Sequence, residues 1–242
     1  MFRFKFLSLF VLLLAAQLLW PLAVRAETLR VAIPELLRCG DMENGKPVGY
    51  CVDIAEELAR EAGLETVTTV RPLPRVLDDF QSGDVDLSVL VPDGALGGKA
   101  RIFGEVRGIE FAAWARAETP LRDLRDLEGK PVAVVRGGQF ETRARELKIV
   151  PIPTRNYDMS LKLLMVRRVD AVVGPVNPLV LAAKGLGLDR SVLGRMLPLD
   201  SLSLHFIVSD SLDPDVADRL QGALQRLRDD GTLDRIMEKY KL

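Results

Sequence analysis

One histidine, two cysteines and one glycine-rich loop are the residues of this chain whose types and spacing could do chemistry. His205 is the sole histidine and stands in an apolar run, a setting that reads as structural rather than catalytic. With so few imidazoles and thiols, neither a Cys–His pair nor a zinc site is well supplied, and no paired-carboxylate motif offers a general acid and base. No catalytic residue, metal or cofactor is therefore expected, and the chain is not read as an enzyme. Cys39 and Cys51 bound the segment Gly40 to Tyr50, which contains the turn Glu43-Asn44-Gly45-Lys46. In an oxidising compartment two such thiols pair, and closing that loop would contribute about 3 kcal/mol; two independent buried thiols are the alternative. The loop Arg136-Gly137-Gly138-Gln139 lies between a strand pattern and a helix pattern. Its bare amides and the helix N-terminus can receive an anionic group, with a ligand-free glycine turn as the alternative.

The elements that must position these residues alternate. Strands are expected at Leu29 to Ile33, Thr66 to Val70, Val85 to Val91, Ile109 to Arg116, Pro131 to Val135, Ile149 to Ile152, Val169 to Val173 and Leu202 to Val208. Helical spacing begins near Val52, where Ile54, Leu58 and Ala62 face inward, Glu56 and Arg60 stand four apart outside, and Gly63 ends the run. It recurs from Pro74 to Ser82 and from Phe140 to Leu147, and again after Asp158, which can cap a run carrying Leu161, Leu164 and Met165. Near the end, Asp213 caps a helix with Pro214 in its first turn, and Thr232 caps a last one bearing Ile236, Met237 and Tyr240. Alternating strands and helices imply parallel sheets with right-handed crossovers.

The first 26 residues fall outside this pattern. Arg3 and Lys5 lead a run from Phe6 to Leu19 that is apolar except for Ser8 and Gln17, and Val24-Arg25-Ala26 offers a small-x-small cut before Glu27. This reads as a cleavable export signal and a periplasmic address, with an uncleaved anchor as the alternative. Removing it leaves 30 basic residues against 34 acidic ones, a net charge of −4 with no basic stripe, which excludes nucleic acid as a natural partner.

Six segments in order carry a family resemblance: LRVAI, VGYCVDIAEELAREAG, LPRVLDDFQSGDVDLSVL, LRDLEGKPVAVVRGG, RRVDAVVG and LRDDGTLDRIMEKY. From Leu29 to Tyr240 the chain resembles the extracytoplasmic solute-binding proteins of family 3, the polar-amino-acid type that serve ABC importers. The resemblance implies a type II periplasmic-binding-protein-like α/β fold, with two parallel-rich sheets joined by hinge strands. Lobe one would comprise 27–118 and the return segment 200–242, lobe two 119–199, with the first crossing in the linker Glu118 to Glu128. It implies a monomer that closes on a small polar, carboxylate-bearing solute and hands it to a permease in the inner membrane.

The resemblance also suggests contacts. Arg101 in GGKARIF is the nearest match to the carboxylate-binding arginine, with Lys99, or a purely solvated Arg101, as alternatives; Arg75 matches a frequent cleft arginine, or is an exposed first-turn residue. The Arg136-Gly137-Gly138-Gln139 loop matches the family's carboxylate loop, Gly138 standing where a threonine is usual. Asp53 and Asp86 match family positions and are read as ordering a helix start and a strand. Two departures put the amino-acid ligand in question: Pro175 stands where an ammonium-binding aspartate is usual, leaving Asn177 to hydrogen-bond, and Glu35, Leu36 and Leu37 replace an aromatic. Trp114 is read as core. Arg101→Ala and Gly138→Asp are each expected to abolish binding without unfolding the protein. The competing functions are a dehydratase-like enzyme on the same scaffold and an accessory or sensory binding module.

Overall fold

A computed structural model of the chain describes residues 27–36, 38–92, 96 and 98–240; the segment expected to be an export signal and Leu37 lie outside the described residues. The first half is built on β1 (Thr28–Pro34), which pairs in parallel with β4 (Glu65–Arg71) and with β5 (Leu87–Leu90). Between them run the short hairpin β2 (Asp41–Glu43) and β3 (Lys46–Val48), then helices α1 (Tyr50–Glu61) and α2 (Leu73–Ser82). In α1 the i, i+4 stripe of Ile54, Leu58 and its neighbours is fully buried, whereas Arg60 pairs with Glu57 at 2.7 Å rather than with Glu56, whose carboxylate accepts from Thr68. Gly83 ends α2 in the left-handed region, a conformation costly for any residue with a Cβ.

Two long strands join this half to the rest. β6 (Ala100–Ala115) and β10 (Leu197–Ser209) run antiparallel along most of their length, and β10 also pairs with β5. The far end of β6, Phe111 to Ala115, pairs with β9 (Ala171–Pro175), which lies beside β7 (Pro131–Val135) and β8 (Val150–Thr154). The two expected sheets are thus joined through β6 and β10 into one eight-stranded order, β4-β1-β5-β10-β6-β9-β7-β8. Because Phe111, Ala113 and Ala115 pack in the second half's core while Ile109 borders both, the crossing sits within β6 near Ile109, upstream of the linker Glu118 to Glu128.

The second half carries α3 (Gln139–Thr142), α4 (Tyr157–Met165) and α5 (Val176–Gly185), the last unanticipated in the sequence pattern because Pro175 and Pro178 obscure it. Asn156, not Asp158, caps α4, its side chain accepting from the Met159 amide at 3.0 Å. The return segment adds α6 (Pro214–Asp229), capped by Asp213, and α7 (Thr232–Lys239). Thr232 does not cap α7; its amide donates to Asp230 at 2.8 Å and Gly231 precedes the helix. Each half-sheet is covered on both faces by apolar clusters, which explains the nearly continuous apolar runs of β5, β7 and β9. Trp114 is core, donating to the Gly194 carbonyl at 2.7 Å. Among the described residues no helix is long and apolar enough to cross a membrane.

Candidate functional site

The two halves meet over β6 and β10 and enclose an inner chamber of about 90 Å³. Strand ends and helix starts build it: Val89 to Val91 and Leu73 and Leu77 from the first half, Val135 and Pro175 from the second, with Ile109 and Phe111 as floor. Its polar groups are few. Tyr50 opens α1 beside the bonded pair Cys39–Cys51, whose Cα atoms are 4.7 Å apart. The Tyr50 amide donates to the Arg38 carbonyl at 2.7 Å and the Cys51 amide to the Cys39 carbonyl at 3.0 Å, so the disulfide loop fixes where the phenol stands. Tyr157 opens α4 on the opposite side, lying against bare Gly174: a Cβ there would come within 2.5 Å of the ring. Both tyrosines are only 6% exposed, and among the described residues neither hydroxyl has a hydrogen-bond partner. Burial pushes the Tyr50 phenol up to about 12, against a smaller downward pull from Arg107, and pushes the Tyr157 phenol higher still. The Oε1 of Gln139 is also buried without a partner. Of these groups only the Gln139 Oε1 is fully buried without a partner; buried polar atoms are ordinarily satisfied, so that atom and the two phenols lining the same cavity suit a hydrogen-bonding solute.

The glycine loop contributes less than its composition suggests. Gly137 and Gly138 do line the chamber with Gln139, yet the Gly137 amide donates to the Glu141 carboxylate at 2.5 Å, the Gly138 amide to the Val135 carbonyl at 3.0 Å and the Arg136 amide to the Thr154 carbonyl at 2.9 Å. The three amides are spent inside the protein. Glu141 is three residues past the Gly138 cap, the spacing at which a first-turn glutamate reaches back, and that was the legible signal.

Of the arginines singled out in the sequence, none lines the chamber. Arg101 sits near the start of β6, donating to the Ser209 carbonyl at 3.3 Å and pairing with Asp210 at 3.7 Å. Arg75 is exposed on α2 with Asp78 at 3.6 Å, and the Arg136 side chain is exposed. Asp53 receives Lys239 at 2.7 Å and Tyr240 at 2.9 Å, tying α1 to α7 instead of capping α1; Asp86 does order a strand, accepting from the Arg30 amide and guanidinium. Asn177 borders a second hollow on the hinge side, about 290 Å³, which shares Tyr50, Ile109, Pro175 and Pro178 with the inner chamber. Sequence reasoning missed Tyr50 and Tyr157, as well as Arg107 and Glu110 in that hollow.

The halves also touch directly. Arg155, just after β8, holds both oxygens of Glu35, just after β1, at 2.7 and 2.8 Å, and Gly137 lies so close to α2 that a Cβ would be 3.2 Å from Pro74. The cleft is closed.

A search of solved structures finds the same arrangement: an ancestral arginine-binding protein bound to arginine superposes with a TM-score of 0.76 at 22% identity, covering 89% of this chain and 98% of that one. The fold is that of the two-lobed solute-binding proteins. The resemblance to family 3 read from the sequence is borne out by a curated relative as well, the probable amino-acid-binding protein YxeM of Bacillus subtilis (strain 168), 25% identical over 209 residues, 82% of this chain and 77% of that protein. The substrate binding protein of an amino acid ABC transporter likewise superposes, with a TM-score of 0.75 at 17% identity over 88% of this chain and 99% of that one. No family model matches the chain.

Proposed function

We propose that this protein is an exported, periplasmic solute-binding protein that closes as a monomer on one small solute, an amino acid or a related carboxylate-bearing molecule, and presents it to an ABC importer permease without chemically changing it. The observation that carries this reading is the enclosed chamber between the halves, with the unpartnered hydroxyls of Tyr50 and Tyr157 facing it from opposite sides. A solute that bridges both halves stabilises the closed form by binding it better than the open one, which is how a hinge protein couples occupancy to shape. The amino-acid-binding relative and the two superposed binding proteins support the ligand class. A thermal-shift screen against amino acids, small organic acids and polyamines tests it. One class is expected to raise the midpoint without being consumed, since a ligand at 100 times its Kd adds about 2.7 kcal/mol to the native state. Silence across the panel, or turnover of the compound that binds, would contradict the reading.

A further inference from the structure

We infer that the charged end of the solute is held not by the glycine loop but on the hinge side, with its carboxylate on Arg107 and its ammonium on Glu110, while an aliphatic side chain fills the inner chamber. This inference rests on the amino-acid reading above and adds which amino acids and which residues.

Three observations lead to it. First, among the described residues no formally charged side chain lines the inner chamber, and its walls are Pro, Leu, Val, Ile and Phe apart from Gly137, Gly138, Gln139, the bonded Cys39 and the two phenols. A buried ion without a partner costs several kcal/mol, so a zwitterion's charges cannot sit there. Second, the amides of the anion-receiving loop are already committed, one of them to the chain's own Glu141 carboxylate, which would repel an arriving carboxylate. Third, the hollow that adjoins the chamber across Tyr50, Ile109, Pro175 and Pro178 holds one cation and one anion, Arg107 and Glu110.

Among the described residues neither side chain has an ion-pair partner. Arg107 makes a single bond to the neighbouring Gly108 carbonyl at 3.2 Å, and Glu110 has no side-chain bond. What sets this unpaired arginine and glutamate apart is that both line one hollow, where they are available for a ligand. Asn177 and Ser201 add neutral donors to the same walls. Arg107 bears on the Tyr50 phenol electrostatically, which places its charge near a residue that borders both spaces. Asp234 and Glu238 of α7 border a separate surface hollow with Arg107 without forming an ion pair with it.

Size narrows the ligand further. A cavity of about 150 Å³ takes benzene, so one of about 90 Å³ suits a branched aliphatic group better than an aromatic ring.

Calorimetric titration of the purified protein tests this with L-valine, L-leucine, L-arginine and L-glutamate, and with 3-methylbutyrate and isobutylamine, which each keep one charge of valine. Valine or leucine is expected to bind more tightly than arginine or glutamate. Arg107→Ala should weaken that amino acid by roughly 10- to 100-fold, the range for losing one hydrogen bond to a charged group, and Glu110→Gln should do the same. Arg107→Ala should leave isobutylamine binding unchanged, a selectivity that mere misfolding would not give. If valine and leucine bind but neither variant weakens them, the hinge-side assignment is overturned and the solute-binding reading stands. If only arginine or glutamate binds, the aliphatic assignment is overturned with that reading again intact. A protein that binds none of the six overturns the aliphatic assignment, while the wider thermal-shift panel decides the solute-binding reading.

Discussion

The glycine loop before α3 and the middle of β6 both offer groups that could hold a charged solute, and they differ in whether those groups are free. The loop has the composition of an anion site, but Glu141 and two carbonyls have taken its amides. The strand reads as an ordinary alternating segment, yet Arg107 and Glu110 stand beside the cavity without ion partners. A motif counts donors; binding depends on which donors are still unspent once the chain has folded.

The largest effect expected on either region comes from the disulfide, because it positions Tyr50, which borders both spaces. Cys51→Ser should lower unfolding stability by about 3 kcal/mol in a denaturant titration, following the loop-closure model for a short loop. An unchanged midpoint would mean that the hydrogen bonds from Tyr50 and Cys51 to Arg38 and Cys39 hold the segment unaided. Next comes the comparison itself: Glu141→Ala frees the Gly137 amide and should cost about 1.5 kcal/mol of stability, the lower end for one hydrogen bond to a charged group. In calorimetry the same variant should bind 3-methylbutyrate more tightly than the parent does, making the loop behave as its composition promises. Equal binding would show that the loop stays closed to anions for another reason.

A last effect is on pH and appears only in strong alkali. All three tyrosines titrate high: Tyr50 and Tyr157 from burial, Tyr240 from burial and its bond to Asp53. A phenol whose native pKa is raised stabilises the fold fully below the unfolded value near 10, and that contribution is lost as pH rises towards the native value. Tyrosinate absorbance of the native protein should therefore lag the unfolded chain's, with stability falling between about pH 10 and about pH 12. A native titration overlapping the unfolded one would mean that the chamber is wet and open.

Much of the scaffold was legible because it is local. The buried stripe of α1, the stop at Gly83, the Asp213 cap and the apolar runs of β5, β7 and β9 all follow from spacing and residue type. The disulfide was legible from compartment and spacing. The cap of α4 was missed by two residues because Asn156 and Asp158 are equally competent cappers, and only the backbone decides between them. The site was legible only in part. Gly137, Gly138, Gln139 and Asn177 do border the cleft, whereas Arg75, Arg101 and the Arg136 side chain do not line it. Arginine is common on surfaces, and which one faces a cleft is set by strand register and by its ion partners, neither of which a single sequence displays. Tyr50 and Tyr157 were hidden for a related reason: each opens a helix, and their convergence depends on how the two halves close.

The most direct test is a crystal structure of the protein grown with the amino acid that gives the largest thermal shift. The account predicts one molecule bridging the halves, its carboxylate within hydrogen-bond reach of Arg107, its ammonium near Glu110 and its side chain between Tyr50 and Tyr157. A carboxylate resting on the amides of Gly137 and Gly138, with Glu141 displaced, would contradict it.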